Sequence, residues 1–149
     1  MSDLADYFDR VRERTLRVAA CIPPEQIEWT YKPGKYTLGD ILRHLGSTER
    51  WMFAENAQQR PSRYPGYGRD LADGYDATLA FLRRMHEESM QIFRSLTDAD
   101  LEKKCVTPGG AELRVGKGCA RWPNTRFTTA ARFTSTWESL ESKGRRFTA

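Results

Sequence analysis

Histidine is nearly missing from this chain, with two residues in 149, and cysteine is scarce, with three. Cys21, Cys105 and Cys119 are odd in number and lack close metal-ligand spacing. That fits a reduced, cytoplasmic protein better than a disulfide framework. No stretch approaches the ~18 consecutive apolar residues of a membrane span. Asp3, Asp6 and Asp9 stand where a secretory signal would be basic and then apolar. Leucine also runs out, because residues 118–149 hold only Leu140.

Acidic residues are missing from the same end. Residues 1–114 carry 17 Lys+Arg against 18 Asp+Glu, and residues 115–149 carry 7 against 2, so the net charge of +4 belongs to the tail. A basic balance favours nucleic-acid or anionic-membrane partners when it covers a folded surface. Here the part that reads as folded is close to neutral and has no nucleic-acid-binding motif, so neither partner is expected. Lys143 with Arg145-Arg146 is too short a cluster to carry a function.

What is present is helical periodicity. Leu4, Phe8, Val11 and Val18 recur between charged residues from Asp3 to about Ala20, with Ser2 as candidate cap, and Pro23-Pro24 ends this helix. Trp29, Tyr31 and Pro33-Gly34 mark an aromatic loop. The second helix runs from Leu38 to Ala57: Thr37 caps it, Asp40 suits the helix dipole, and Leu38, Ile41, Leu42, Leu45, Met52 and Phe53 form its stripe. Arg60 to Gly68, rich in Pro and Gly, reads as a loop. The third helix extends from about Asp73 or Asp76 to Leu96, with Leu79, Leu82, Met85, Ile92 and Phe93 inward. Thr97-Asp98 caps a short turn through Leu101. Thr107-Pro108-Gly109-Gly110 is a tight turn before Ala111–Val115.

A chain of this length buries enough surface for one sizeable core. Three amphipathic helices predict an all-α bundle that still needs a fourth wall. The tail offers none, since Phe127, Phe133 and Trp137 are its only large apolar residues through the middle and Pro123 interrupts it. The reading is therefore a helical bundle over residues 1–117 and an aberrant basic Thr/Arg/Ser-rich tail over 118–149. An uncovered inner face invites aggregation or dimerisation.

On the second helix His44 shares a face with Ile41, Thr48 and Trp51. Alone it is a core histidine satisfied by a hydrogen bond, because a metal centre of zinc type takes about three protein ligands. The string Pro33-Gly34-Lys35-Tyr36-Thr37-Leu38-Gly39-Asp40-Ile41-Leu42-Arg43-His44-Leu45, with Trp29 before it and Glu49 after it, resembles the DinB/YfiT-like family of metal-binding four-helix bundles. The resemblance covers about Leu4 to Val115. It implies that His44 is the first metal ligand, and that two further histidines come from a late helix with a His-x-x-His-His-Arg-Gly-Gln type motif. It also implies a divalent metal such as Zn, Ni or Fe and metal-dependent transferase or hydrolase chemistry on a small molecule, in some members with a thiol. The late motif is absent here, where the only other histidine is His86.

The genetic code offers a reason. If each codon's third base from Lys117 onward is read with the next two bases, Gly118 to Pro123 permit Gly-Leu-Arg-Ala-Met-Ala. Pro123 to Arg132 then permit Glu-His-Glu-Ile-His-His-Arg-Gly-Gln. The steps across Asn124/Thr125 and Phe127/Thr128 each allow only His or Tyr, and the step across Thr128/Thr129 allows four residues. One shift thus supplies an amphipathic helix and the missing ligands, at positions i, i+3 and i+4 of one helix face. A frameshift near Lys117 is one reading of the break; a genuine basic tail on a non-enzymatic binding module is the other. As printed, Asn124, Thr125, Thr128 and Thr129 are poor replacements for imidazole, and no tightly held metal is expected.

Among other candidates, His86 stands beside Arg83, Arg84, Glu87 and Glu88 and reads as a boundary histidine. Glu49, near Arg43 and Arg50, reads as a solvated or ion-paired face residue, although it and Glu55 could assist a metal-bound nucleophile. Cys21 reads as a small buried residue. Trp29, Tyr31, Tyr36 and Trp51 either line a substrate pocket or pack the bundle end.

Overall fold

The computed structural model describes residues 2–106 and 110–116, with side chains from Ala5 onward. Helix α1 spans Ser2–Ala20. A short 3-10 turn, Pro24–Gln26, opens the segment leading to α2, Leu38–Thr48. Thr37 caps α2 reciprocally: its hydroxyl accepts the Asp40 amide at 2.9 Å, and the Asp40 carboxylate accepts the Thr37 amide at 3.0 Å. Such a box satisfies two of the donors that a helix start leaves open.

The helix then widens into a π-helical stretch, Glu49–Ala54, before a last α turn, α3, Glu55–Ala57. A π turn adds a residue to the ladder and rotates everything after it. The consequence is visible in the core. Met52 and Phe53, inward by simple 3.6-residue spacing, are half-buried, while Ala54 and Ala57 are buried. Helix α4, Tyr75–Ser95, and α5, Asp98–Glu102, follow, with Thr97 forming a second capping box with Asp100. Strands β1, Lys104–Val106, and β2, Glu112–Arg114, pair antiparallel with Cys105 opposite Leu113. The tight turn expected at Thr107–Gly110 lies mostly outside the described residues, as does all of 118–149.

Two apolar clusters hold the helices together. One joins Ala5 and Phe8 of α1, Ala54, Ala57, Met90 and Phe93 to Cys105 and Val115, with the Phe8 and Phe93 rings stacked at 4.7 Å. The other joins Ala19, Ile22, Ile27, Leu38, Ile41, Leu42, Leu79 and Leu82. Between them α2 and α4 approach closely at Gly46, where a Cβ would stand 3.1 Å from Phe81 Cε1 and 3.4 Å from Met85 Cβ. Val18, expected inward, is 44% exposed, because Ala19, one residue or about 100° further round α1, takes the buried position. Cys21, expected buried, is exposed past the end of α1, its thiol donating to the Arg17 carbonyl.

Arg43 ties the loops to this frame. Fully buried, it meets both Glu28 carboxylate oxygens at 2.8 and 3.0 Å and Asp40 at 2.8 Å. Its Nε and Nη1 also donate to the Tyr67 and Ala72 carbonyls at 2.8 and 3.0 Å. Arg43→Met leaves two carboxylates facing an apolar side chain, and we expect a loss of about 3–5 kcal/mol in urea unfolding. Gly46→Val overpacks the α2–α4 contact and should cost about 1–3 kcal/mol. Arg69→Met, at an exposed pair with Asp73, should leave the midpoint unchanged.

Candidate functional site

His44 projects from the middle of α2, half-buried. Its Nδ1 lies 2.5 Å from the Tyr64 hydroxyl, and the two rings meet edge-on, 5.6 Å between centroids. Tyr36 stands on another side at 6.3 Å and itself packs against Tyr67 at 4.6 Å. Burial, then the neighbouring Tyr36 and Tyr67, push the Tyr64 phenol up to about 12, so it keeps its proton at neutral pH. The aromatics expected near the site divide. Tyr36 reaches it, Tyr31 is 48% exposed, and Trp51 lies between the guanidiniums of Arg50 at 4.4 Å and Arg63 at 5.4 Å.

One turn beyond His44, Ser47 and Thr48 bury hydroxyl oxygens that have no hydrogen-bond partner among the described residues. Polar groups of this kind normally have one. Among the described residues no group of three or more His, Cys, Asp or Glu is placed to hold a metal ion. A three-ligand metal site therefore does not fit the described residues, which bring a single imidazole to this place.

The second histidine is committed elsewhere. His86 on α4 meets Glu49 Oε1 through Nδ1 at 2.6 Å and Asp9 Oδ1 through Nε2 at 2.9 Å. Arg94 holds the other Asp9 oxygen at 2.7 Å, and Arg12 Nη2 donates to Glu49 Oε2. The boundary position expected for His86 is right in burial, with 13% of the side chain exposed. Glu49 is ion-paired, as one alternative had it, but fully buried rather than on a solvated face. Helical spacing accounts for its inward position: Glu49 follows buried Leu42 by seven residues and buried Gly46 by three, on the α2 face that meets Arg12 of α1 and His86 of α4. Arg12 is likewise interior, and its Nε and Nη1 have no partner among the described residues. Glu55, also buried, pairs with Arg50 at 2.5 Å.

Three residues that shape the site escaped sequence reasoning. Tyr64 and Tyr67 lie in the loop Arg60 to Gly68, where the aromatic pair spaced by Pro65-Gly66 was the available signal. Arg12 sits four residues after Phe8 on the apolar stripe of α1, and a lone cation there is the signature of a buried partner.

Burial raises the Glu49 pKa, but the charge of Arg12 and the hydrogen bond from His86 outweigh it and hold it below the ordinary 4.5. A depressed carboxylate pKa gives stability that is complete above 4.5 and lost as pH falls through the lower folded value. Glu49→Gln should flatten the acid limb of a pH–stability profile. At pH 7 it should cost about 3–5 kcal/mol, because Arg12 is left buried without its counter-charge.

The profile of the DinB superfamily matches residues 7–124. No curated protein matches the chain by sequence. Among solved structures it is similar to YfiT from Bacillus subtilis, described as a probable metal-dependent hydrolase with an unusual four-helix bundle topology. That likeness has TM-score 0.68 and 14% identity, over 96% of this chain and 87% of YfiT. It is also similar to a mutant of the mycothiol-dependent maleylpyruvate isomerase, with TM-score 0.63 and 9% identity, over 93% of this chain and 59% of that protein. Identities this low establish the fold, that of a four-helix bundle, and no more. With the profile running from the first turns of α1 past the end of β2, the chain belongs to the DinB superfamily.

Proposed function

We propose that this is a DinB-type small-molecule enzyme whose site centres on His44, of metal-dependent transferase or hydrolase type in its intact form, and that the chain as printed is metal-deficient. The observation that carries the reading is the placement of His44. Half-buried on α2, it is braced by Tyr64, with the hydroxyls of Ser47 and Thr48, unpartnered among the described residues, one turn further on. The metal-dependent and mycothiol-dependent descriptions of the two similar structures support the reaction class, including a thiol co-substrate.

Imidazole donors suit Zn, Ni or Fe, and a single one does not hold such an ion tightly. The chain has no third histidine, and the described His86 faces Glu49 and Asp9 instead. We attribute the shortfall to a frameshift near Lys117, which divides the chain into a bundle domain, 1–117, and an aberrant tail, 118–149, in place of the last metal-binding helix. The protein in this reading is cytoplasmic, acts on a small molecule, needs neither nucleic acid nor membrane, and can form a homodimer through its uncovered face. The described helices include none long and apolar enough to cross a membrane.

A second reading rests on the charge of the tail, 7 Lys+Arg against 2 Asp+Glu in residues 115–149. In that reading the protein is a non-enzymatic binding module with a basic arm, and it binds polyanions in a salt-dependent way.

Sequencing the coding DNA across codons 110–149 decides between them first. Codons that forbid histidine in the shifted frame remove the frameshift. Metal analysis of untagged protein should then find well under one ion per chain as printed, and about one after the frame is restored. A stoichiometric ion in the printed chain, or none in the restored one, would count against the metal reading.

A further inference from the structure

The connection between α3 and α4 runs back along α2 and is fastened to it at several points. The Arg60 amide donates to the Glu55 carbonyl at 2.9 Å, and the Arg63 amide to the Trp51 carbonyl at 2.9 Å. Further along, the Tyr67 and Ala72 carbonyls accept from the buried Arg43 guanidinium at 2.8 and 3.0 Å. Ser62 adds a side-chain bond to Asn56 at 3.1 Å. His44 lies one residue from Arg43 and seven from Trp51, between the two groups of fasteners.

Between those fasteners, Tyr64, Pro65 and Gly66 make no backbone hydrogen bond among the described residues. Pro65 has no N–H to give. Gly66 has φ +99°, a conformation L side chains rarely adopt, and a Cβ built there would meet nothing within 4 Å. The arc is therefore held at both ends and free in its middle. Its one hydrogen bond among the described residues is that between the Tyr64 hydroxyl and His44 Nδ1, at 2.5 Å.

We propose that this connection is a strap latched across His44 by Tyr64, so that His44 meets solutes only while the Tyr64 hydrogen bond is open. The anchors at Arg63 and Tyr67 keep the strap from leaving as a body, and Gly66 takes up the backbone change when Tyr64 swings out. Tyr64 is then a positioning residue: closed, it fixes the His44 ring and its tautomer through Nδ1, and open, it admits a small molecule. The latch concerns regulation of the proposed site but does not require that His44 bind metal, so the two ideas stand or fall separately.

Diethyl pyrocarbonate tests this cleanly because the chain has only two histidines. Carbethoxylation of the full chain, mapped by peptide mass, reports each of them, and His86, bonded through both ring nitrogens, serves as the control that the bundle is intact. Wild-type His44 should react several-fold more slowly than N-acetylhistidine. Tyr64→Phe keeps the ring but removes the hydroxyl, and should speed His44 about three- to tenfold, the population change expected for one lost hydrogen bond. Tyr64→Ala should speed it at least as much, with His86 unreactive throughout. A Tyr64→Phe rate equal to wild type overturns the latch, whatever Tyr64→Ala does. Should either variant loosen the bundle, seen as reaction at His86, the wild-type measurement decides alone: His44 reacting as fast as N-acetylhistidine in the folded protein overturns the proposal.

Discussion

The Arg43 guanidinium is the contact on which the rest of the site depends. It is buried, and it is matched by Glu28 from the segment before α2, Asp40 from the first turn of α2, and two carbonyls from the connection after α3. Burial works against its charge, but the two carboxylates outweigh that and hold its pKa above the ordinary arginine value. Glu28 responds in kind: burial pushes its pKa up, and its bonds to Arg43 and Thr37 bring it below the ordinary value. One side chain thus fixes two irregular segments to one helix. Those segments carry Tyr36, Tyr64 and Tyr67, so the surroundings of His44 are set by its neighbour in sequence.

A second interior polar group plays a comparable part lower in the bundle. Glu49, Arg12, His86, Asp9 and Arg94 link α1, the π turn and α4 in a chain of charge-assisted bonds. Breaking one member of such a chain costs far more than the chain contributes relative to apolar residues of the same size. Its value lies in register, since only one rotation of α4 about its axis brings His86 between two carboxylates. The π turn starts at Glu49 and delivers Ala54 and Ala57 to the apolar cluster with Phe8 and Phe93.

Family membership and the makeup of the site point in different directions. The fold relates the chain to proteins described through metals and thiols. The described residues supply one histidine braced by Tyr64 on α2 and a second one committed to Glu49 and Asp9. A superfamily of this kind shares a scaffold, and activity resides in the few side chains grafted onto it.

Periodicity, caps and punctuation in the sequence determined the helices: the Thr37-Asp40 and Thr97-Asp100 boxes, the stop at Pro23-Pro24 and the span of α4 are local chemistry and needed no partner. The same local reading singled out His44 and the family string around it, and the change in composition toward the tail. It could not place Val18, because the rotation of α1 is settled by which helix packs against which, and it missed the burial of Glu49 because a carboxylate on an inward face is buried only where other helices supply its partners. The antiparallel pairing of β1 with β2 likewise depends on contact between separate segments. Tyr64 reaches His44, 20 residues away, only because Arg43 and Trp51 hold the intervening strap. Contacts of that separation have no periodic signature. Short-range order was therefore written in the sequence, whereas the surroundings of His44 were decided by tertiary packing and buried charge.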